Sequence, residues 1–260
     1  MSVLDILDRF NKQPFVPKKF DHNILDLPEL TSVDGVNGGP RLYTTPNGDQ
    51  YPSVTSILSI LGDPNALNWW YKKIGYEEAM RQTQEAADRG NVLHDLSEKY
   101  LLNKLNEEDI GYDAGGMMFR SAKQYLDEIE TVLSTECALY SDKYKYAGRT
   151  DAIVKHAGDI CILDHKNSKK LFTGTKLGYM KEKLFKYKLQ TYFYHIALYE
   201  MTGIESTHGI LIVSKPRLKP EEEYDSEIVK WKFDKKEFHD LFEQTIREYY
   251  DQHGKHRKQH

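Results

Sequence analysis

The sequence predicts an α/β fold, a mixed central sheet flanked by helices with an N-terminal helical segment ahead of it. Three observations predict it. Apolar residues at three- and four-residue spacing mark a long amphipathic helix through Phe119, Ala122, Tyr125 and Leu126. Three short β-like runs follow, at about 136–141, 145–155 and 159–165. A second long helix over roughly 182–202 and an apolar strand at 209–213 complete the order helix, three strands, helix, strand.

The elements follow in chain order. Residues 1–50 are rich in Pro, Gly, Asn and Asp, and Pro46-Asn47-Gly48 reads as a turn between Leu42 and Tyr51, so an arm or hairpin is expected. Ser53 is a candidate N-cap for a helix over 54–61, with further helices near 65–75, 77–88 and 91–104. The apolar stripe of the next helix continues in register through Ile129, Val132 and Leu133, so that helix is expected to include them. Ile160, Cys161, Ile162 and Leu163 form an unbroken apolar run, which suits a strand covered on both faces. A strand at 228–233, a helix over 235–250 and a His- and Lys-rich tail close the chain. At 260 residues this reads as one domain with decoration. Its parts are an arm (1–50), a helical segment (51–115), an α/β core (116–250) and a basic tail (251–260).

Composition narrows the function. Hydrophobic residues at 39% with 29% charged describe a globular protein, and no run approaches the ~20 apolar residues that span a bilayer. The start of the chain lacks a signal-peptide core, so a cytoplasmic location is expected. Two cysteines, Cys137 and Cys161, are too few for a disulfide framework or a four-cysteine metal site. A formal net charge of −4 excludes coating of nucleic acid by bulk electrostatics, so any DNA contact must come from local basic residues. Arg89, Arg149, Lys169 and Lys170 are the candidates, and Trp69 on its helix is a candidate for stacking on unpaired bases. One of Trp69 and Trp70 is expected in the core.

Chemistry concentrates around two neighbouring strands. Asp151 follows Gly148-Arg149-Thr150, read as a turn into a strand, and Asp164 ends the next strand with Lys166 two residues on. Side chains alternate along a strand, so Asp164 and Lys166 share a face. Antiparallel pairing through a turn near Gly158 would bring Asp151 beside them. Two converging carboxylates suit a hard cation such as Mg²⁺ or Mn²⁺. A lysine next to them can orient water and neutralise charge developing on a phosphoryl group. On spacing alone, strand-end turn residues and a solvated lysine account for the pattern equally well.

Gly148-x-x-Asp151, Asp164-x-Lys166 and Gln190-x-x-x-Tyr194, in that order, resemble the PD-(D/E)XK nuclease superfamily in its RecB-like branch. Upstream, Arg89-Gly90-x-x-x-His94 resembles the histidine motif of that branch, and Glu136 stands where its members often carry an acidic residue. Tyr51-Pro52-Ser53-Val54-Thr55 is similar to the group containing mitochondrial genome maintenance exonucleases and phage relatives. The resemblance covers roughly residues 51–213. It implies a restriction-endonuclease-like core, catalysis by Asp151, Asp164 and Lys166, and a metal held by His94, Asp151, Asp164 and the carbonyl of His165. Glu136, Gln190 and Tyr194 are implied as supporting residues. Four-residue spacing places Gln190 and Tyr194 on one helix face with Tyr187, a candidate for touching DNA, while packing of the tyrosines against the sheet accounts for the same spacing.

The function implied is a Mg²⁺- or Mn²⁺-dependent DNA exonuclease in replication, recombination or repair, acting on single-stranded ends, with no iron–sulfur cluster. A replication or recombination protein would be its recruiting partner, and a phage member would act in the host cytoplasm. Two alternatives stay open: a structure-selective endonuclease or duplex exonuclease of the same superfamily, and a non-catalytic DNA-binding scaffold. The intact Asp151, Asp164 and Lys166 set speaks against the scaffold.

Overall fold

A six-stranded mixed sheet organises the chain in the computed structural model, which describes residues 15–36, 39–173 and 178–254. Its long strands are β5 (Ile129–Ser141), β6 (Tyr146–His156), β7 (Asp159–Asn167), β8 (His208–Lys215) and β9 (Asp225–Lys232). The short strand β1 (Asp21–His22) runs parallel to the outer edge of β5. Neighbours pair antiparallel except at β1–β5 and β7–β8, where the pairing is parallel. The parallel pair requires a crossover, supplied by one long helix between β7 and β8.

Helices cover both faces, as the sequence predicts. On one side lie α1 (Val54–Leu58), α5 (Gly178–Thr202) and α6 (Lys235–Gly254), packed on Ile153, Ile162, Leu211 and Val213. On the other lie α3 (Tyr76–Leu101) and α4 (Ala114–Leu126), packed on Val154, Leu163, Ile210 and Ile212. Ile162 and Leu163 thus face opposite cores, the alternation that an unbroken apolar strand needs. A further helix, α2 (Ala66–Ile74), contributes no buried residue. No helix among the described residues is long and apolar enough to cross a membrane.

Three expectations are corrected. The stripe from Phe119 does not continue as helix: α4 stops at Leu126, and Ile129, Val132 and Leu133 belong to β5. Asp127 caps the helix and is gripped by Tyr100 Oη at 2.5 Å and Lys123 Nζ at 2.7 Å, which turns the chain into a run rich in β-branched residues. The helices expected near 77–88 and 91–104 are one continuous helix, α3. Gly90 does not break it, because the position is buried against the end of β7. A Cβ there would lie 2.8 Å from Asn167 Nδ2, the group that donates to the Ala86 carbonyl at 3.1 Å. Lastly, Gly148, Arg149, Thr150 and Asp151 lie inside β6 and do not form a turn.

The N-terminal arm forms a small sheet of β2 (Thr31–Val33), β3 (Leu42–Thr44) and β4 (Gln50–Pro52), with the expected turn at Gly48. Tyr51 Oη donates to Asp142 at 2.6 Å and accepts from Lys145 Nζ at 3.0 Å, which ties this sheet to the β5–β6 turn. Ser53 caps α1 as predicted, accepting from the Ser56 N–H at 3.0 Å, although α1 ends at Leu58 and a 3₁₀ turn covers Ser59–Leu61. Of the basic tail, residues 255–260 lie outside the described residues.

Candidate metal centre and cleft

The site sits where β6 and β7 part. Their antiparallel ladder ends at Ala152 opposite Leu163, while β6 continues against β5 to Tyr146 and β7 continues against β8 to Asn167. Backbone groups freed by the parting need new partners. Asp151 Oδ2 accepts the His165 N–H at 2.5 Å, and Thr150 Oγ1 donates to the Leu163 carbonyl at 3.2 Å. The gap is therefore bridged by side chains and opens toward a cleft of about 380 Å³. Asp151, Asp164 and Lys166 line it from the sheet.

Asp164 and Lys166 share a face of β7 as strand alternation requires, and they form an ion pair. Gln190 on α5 donates to Asp164 Oδ1 at 3.3 Å and sits 3.4 Å from Tyr194 Oη. Both are deep in the structure, with Gln190 7% and Tyr194 2% exposed. Both nonetheless line the cleft, where Gln190 also orients the Asp164 carboxylate. Tyr194 lies against Gly148, where a Cβ would come 2.8 Å from its ring and 3.1 Å from Val54. Close approach of that ring explains a glycine inside a strand.

Across the gap, His94 on α3 places Nδ1 3.3 Å from Asp151 Oδ1. The buried Gly90 sets α3 close enough to the end of β7 for this contact. His165 turns its ring to the same side, edge-on to His94 with centroids 5.9 Å apart, and neither of its ring nitrogens hydrogen-bonds a described residue.

Glu136 completes the cluster. Thr135 pairs with Ala152 and Cys137 with Thr150, which leaves Glu136 opposite Asp151. Its φ of +44° lies in the left-handed region, which costs a non-glycine residue of the order of 1 kcal/mol or more. His94, Glu136 and Asp151 each offer a ligand atom, all within 4.8 Å of one another. An imidazole nitrogen with two carboxylates is a donor set that fits a divalent metal ion. The sequence marked Glu136 as supporting only; its ligand position depends on a backbone distortion that no spacing reveals.

Charge coupling follows from this packing. Burial pushes the Glu136 carboxyl up to about 7, with the Asp151 charge adding to it. Burial also pushes up Asp164, to about 6, against the pull of Lys166 and with the repulsion of Asp151. Asp151 goes the other way: burial opposes ionisation, but the hydrogen bond and charge of His94 and the charge of Lys166 outweigh it and hold it well below the carboxylate range. His94 is raised because Asp151 overrides burial, and His165, with burial dominant, falls to about 4. Burial alone would lower Lys166, yet Asp164 and Asp151 raise it, so it stays an ammonium.

The remaining candidates lie further out. Arg149 is exposed on the cleft rim, its guanidinium 4.0 Å from Glu136. Arg89 is half-buried on α3, Lys169 donates to Gln82 at 2.7 Å, and Lys170 is exposed; none of these three lines the cleft. Trp69 is 71% exposed, and Trp70 is half-buried and stacked on Tyr71, so neither tryptophan is core. Cys137 and Cys161 are buried and free. The opposite cleft wall, which sequence reasoning left unassigned, carries Arg41 just before β3 and Tyr43 within it, with Ser53 and Thr55 at the start of α1.

No family model matches the chain, and no curated protein matches it. Among solved structures, it is similar to one described as SSO0001 at 19% identity and a TM-score of 0.32, over 75% of this chain and 74% of that one. It is also similar to a protein described as a "putative exonuclease" from Eubacterium rectale at 10% identity and a TM-score of 0.38, over 62% of this chain. The match spans 64% of that second protein, less than two thirds of its length.

Proposed function

We propose that this chain is a divalent-metal-dependent nuclease that hydrolyses phosphodiester bonds in DNA. One observation carries the reading: His94, Glu136 and Asp151 offer metal ligands at the parting of β6 and β7, and the Asp164–Lys166 pair lines the same cleft.

His94, Glu136 and Asp151 would hold Mg²⁺ or Mn²⁺, joined by Asp164 and the His165 carbonyl when substrate arrives. Such a cation, when bound, polarises the phosphoryl group and acidifies water. Lys166 orients the attacking water and neutralises charge that develops on the phosphoryl oxygens. Gln190 fixes the Asp164 carboxylate, and Asp151, tied to the His165 N–H, fixes the spacing of the two strands. In-line attack by water breaks the bond to the 3′-oxygen and leaves a 5′-phosphate.

Within this reading we assign the chain to the RecB-like branch on the motifs quoted above. Single-stranded ends are its proposed substrate, supported by the exposed Trp69 and by the Trp70–Tyr71 pair beside the helical half. The test is incubation of the protein with linear and circular single-stranded DNA and with linear duplex, in Mg²⁺, Mn²⁺ or EDTA. Metal-dependent loss of the linear single strand alone supports the exonuclease; cutting of the circle moves the assignment to an endonuclease. Intact DNA in every lane removes the nuclease reading.

A further inference from the structure

Helix α5 presents one stripe to the reaction centre. Gln190 meets Asp164 and Tyr194, Tyr187 lies one turn before Gln190, and Lys183 one turn before that, at offsets of three and four residues that share a helix face. Tyr187 sits beneath two cations: Lys166 Nζ is 5.3 Å and Lys183 Nζ 5.8 Å from its ring centre.

The two ammoniums differ in one respect. Lys166 is paired with Asp164, whereas among the described residues no carboxylate pairs with Lys183, although it is half-buried. Lys186, on the same turn, is also half-buried, and burial lowers its pKa. A half-buried cation without a counter-anion is costly to keep, and an aromatic face offsets only a part of that cost. Burial first, and then the Lys166 charge, hold the Lys183 pKa below that of an ordinary lysine. A phosphate diester is an anion that would complete this position and that the neighbouring centre must in any case receive.

We infer that Lys183 binds a backbone phosphate of the nucleic-acid strand, next to the one attacked, and so holds the strand in register over Tyr187 and the Asp164–Lys166 pair. This rests on the nuclease reading above. Lys183 is a substrate-binding residue here and takes no part in bond cleavage.

The experiment measures binding of a fluorescently labelled single-stranded oligonucleotide by anisotropy, in Ca²⁺ and across a salt series, for the intact chain, Lys183→Gln and Lys183→Arg. Loss of one phosphate contact predicts weaker binding of Lys183→Gln, about three- to tenfold at low salt. It also predicts a log–log salt slope shallower by about 0.7, with Lys183→Arg restoring both. Thermal stability of Lys183→Gln should be unchanged or raised, since an unpaired cation is removed; a fall would mean a structural role and overturn the proposal. Equal affinity and equal slope for the chain and Lys183→Gln also overturn it, while Mg²⁺-dependent cleavage by the unaltered chain leaves the nuclease reading standing. An unaltered chain that neither binds nor cleaves DNA removes both.

Discussion

The Asp151 carboxylate accepts the backbone N–H of His165 at 2.5 Å, across the point where β6 and β7 cease to pair. One oxygen of Asp151 thereby repairs the sheet, and the other faces His94 at 3.3 Å, available to a cation. Fold and site share this residue, and the predictions below separate its two jobs.

Asp151→Asn keeps a side-chain oxygen for the His165 N–H but removes the charge. Metal-free thermal stability should fall, because His94 and Lys166 favour the charged carboxylate, yet the variant should remain folded, whereas cleavage should fall by a factor of about 10³ or more. A stable variant that cuts at the parental rate would take Asp151 out of the metal site.

Metal binding should tighten as pH rises, because a ligand must shed its proton first. With the Glu136 carboxyl near 7, Mn²⁺ affinity by calorimetry should rise about tenfold between pH 6 and pH 8, and the raised His94 pKa acts in the same direction. Glu136→Gln should bind more weakly and lose the Glu136 share of this dependence. An identical pH profile in the variant would show that Glu136 is no ligand.

Gly148→Ala sets a methyl 2.8 Å from the Tyr194 ring and 3.1 Å from Val54, both in a packed core. The expected cost is about 1–3 kcal/mol in a denaturant titration, with lower activity as α5 is pushed off Asp164. Tyr194→Leu in the same chain should recover part of the stability, a coupling of at least about 0.5 kcal/mol. Simple additivity of the two changes would place the strain elsewhere.

His165 is buried and neutral, with its pKa lowered to about 4 from an unfolded value near 6.5. The unfolded chain therefore binds more protons between those values. The His165 contribution is complete above pH 6.5 and is lost as pH falls toward 4, on the order of 2–3 kcal/mol. Asp164, raised to about 6, contributes with the opposite sign, so the useful quantity is the difference between the parent and His165→Leu in EDTA. Parallel stability curves from pH 7 to pH 4 would contradict this account.

Much of the site was legible because strand geometry is rigid. Period-two alternation alone puts Asp164 and Lys166 on one face, and the turn near Gly158 brings Asp151 across from them. Where several physical effects compete, the sequence was ambiguous. Ile129, Val132 and Leu133 continue the helical spacing of α4, and the β-branched Ile129, Thr131, Val132 and Thr135 with the Asp127 cap decide for strand. Gly90 looks like a helix break until Asn167 occupies the space a Cβ would fill. Glu136 needs both a positive φ and its register with Asp151 to reach His94, and neither is written in a spacing. Trp69 and Trp70 look like core at helical spacing, yet α2 buries none of its residues.

The most direct test combines cleavage and binding on the same protein. End-labelled single-stranded DNA is incubated with the chain, Asp164→Ala and Lys166→Ala in Mg²⁺ and in EDTA, and binding is measured in parallel in Ca²⁺. The account predicts metal-dependent degradation by the unaltered chain and its loss in both variants while Lys166→Ala still binds DNA. Intact DNA in every lane despite tight binding, or undiminished cutting by either variant, would contradict it.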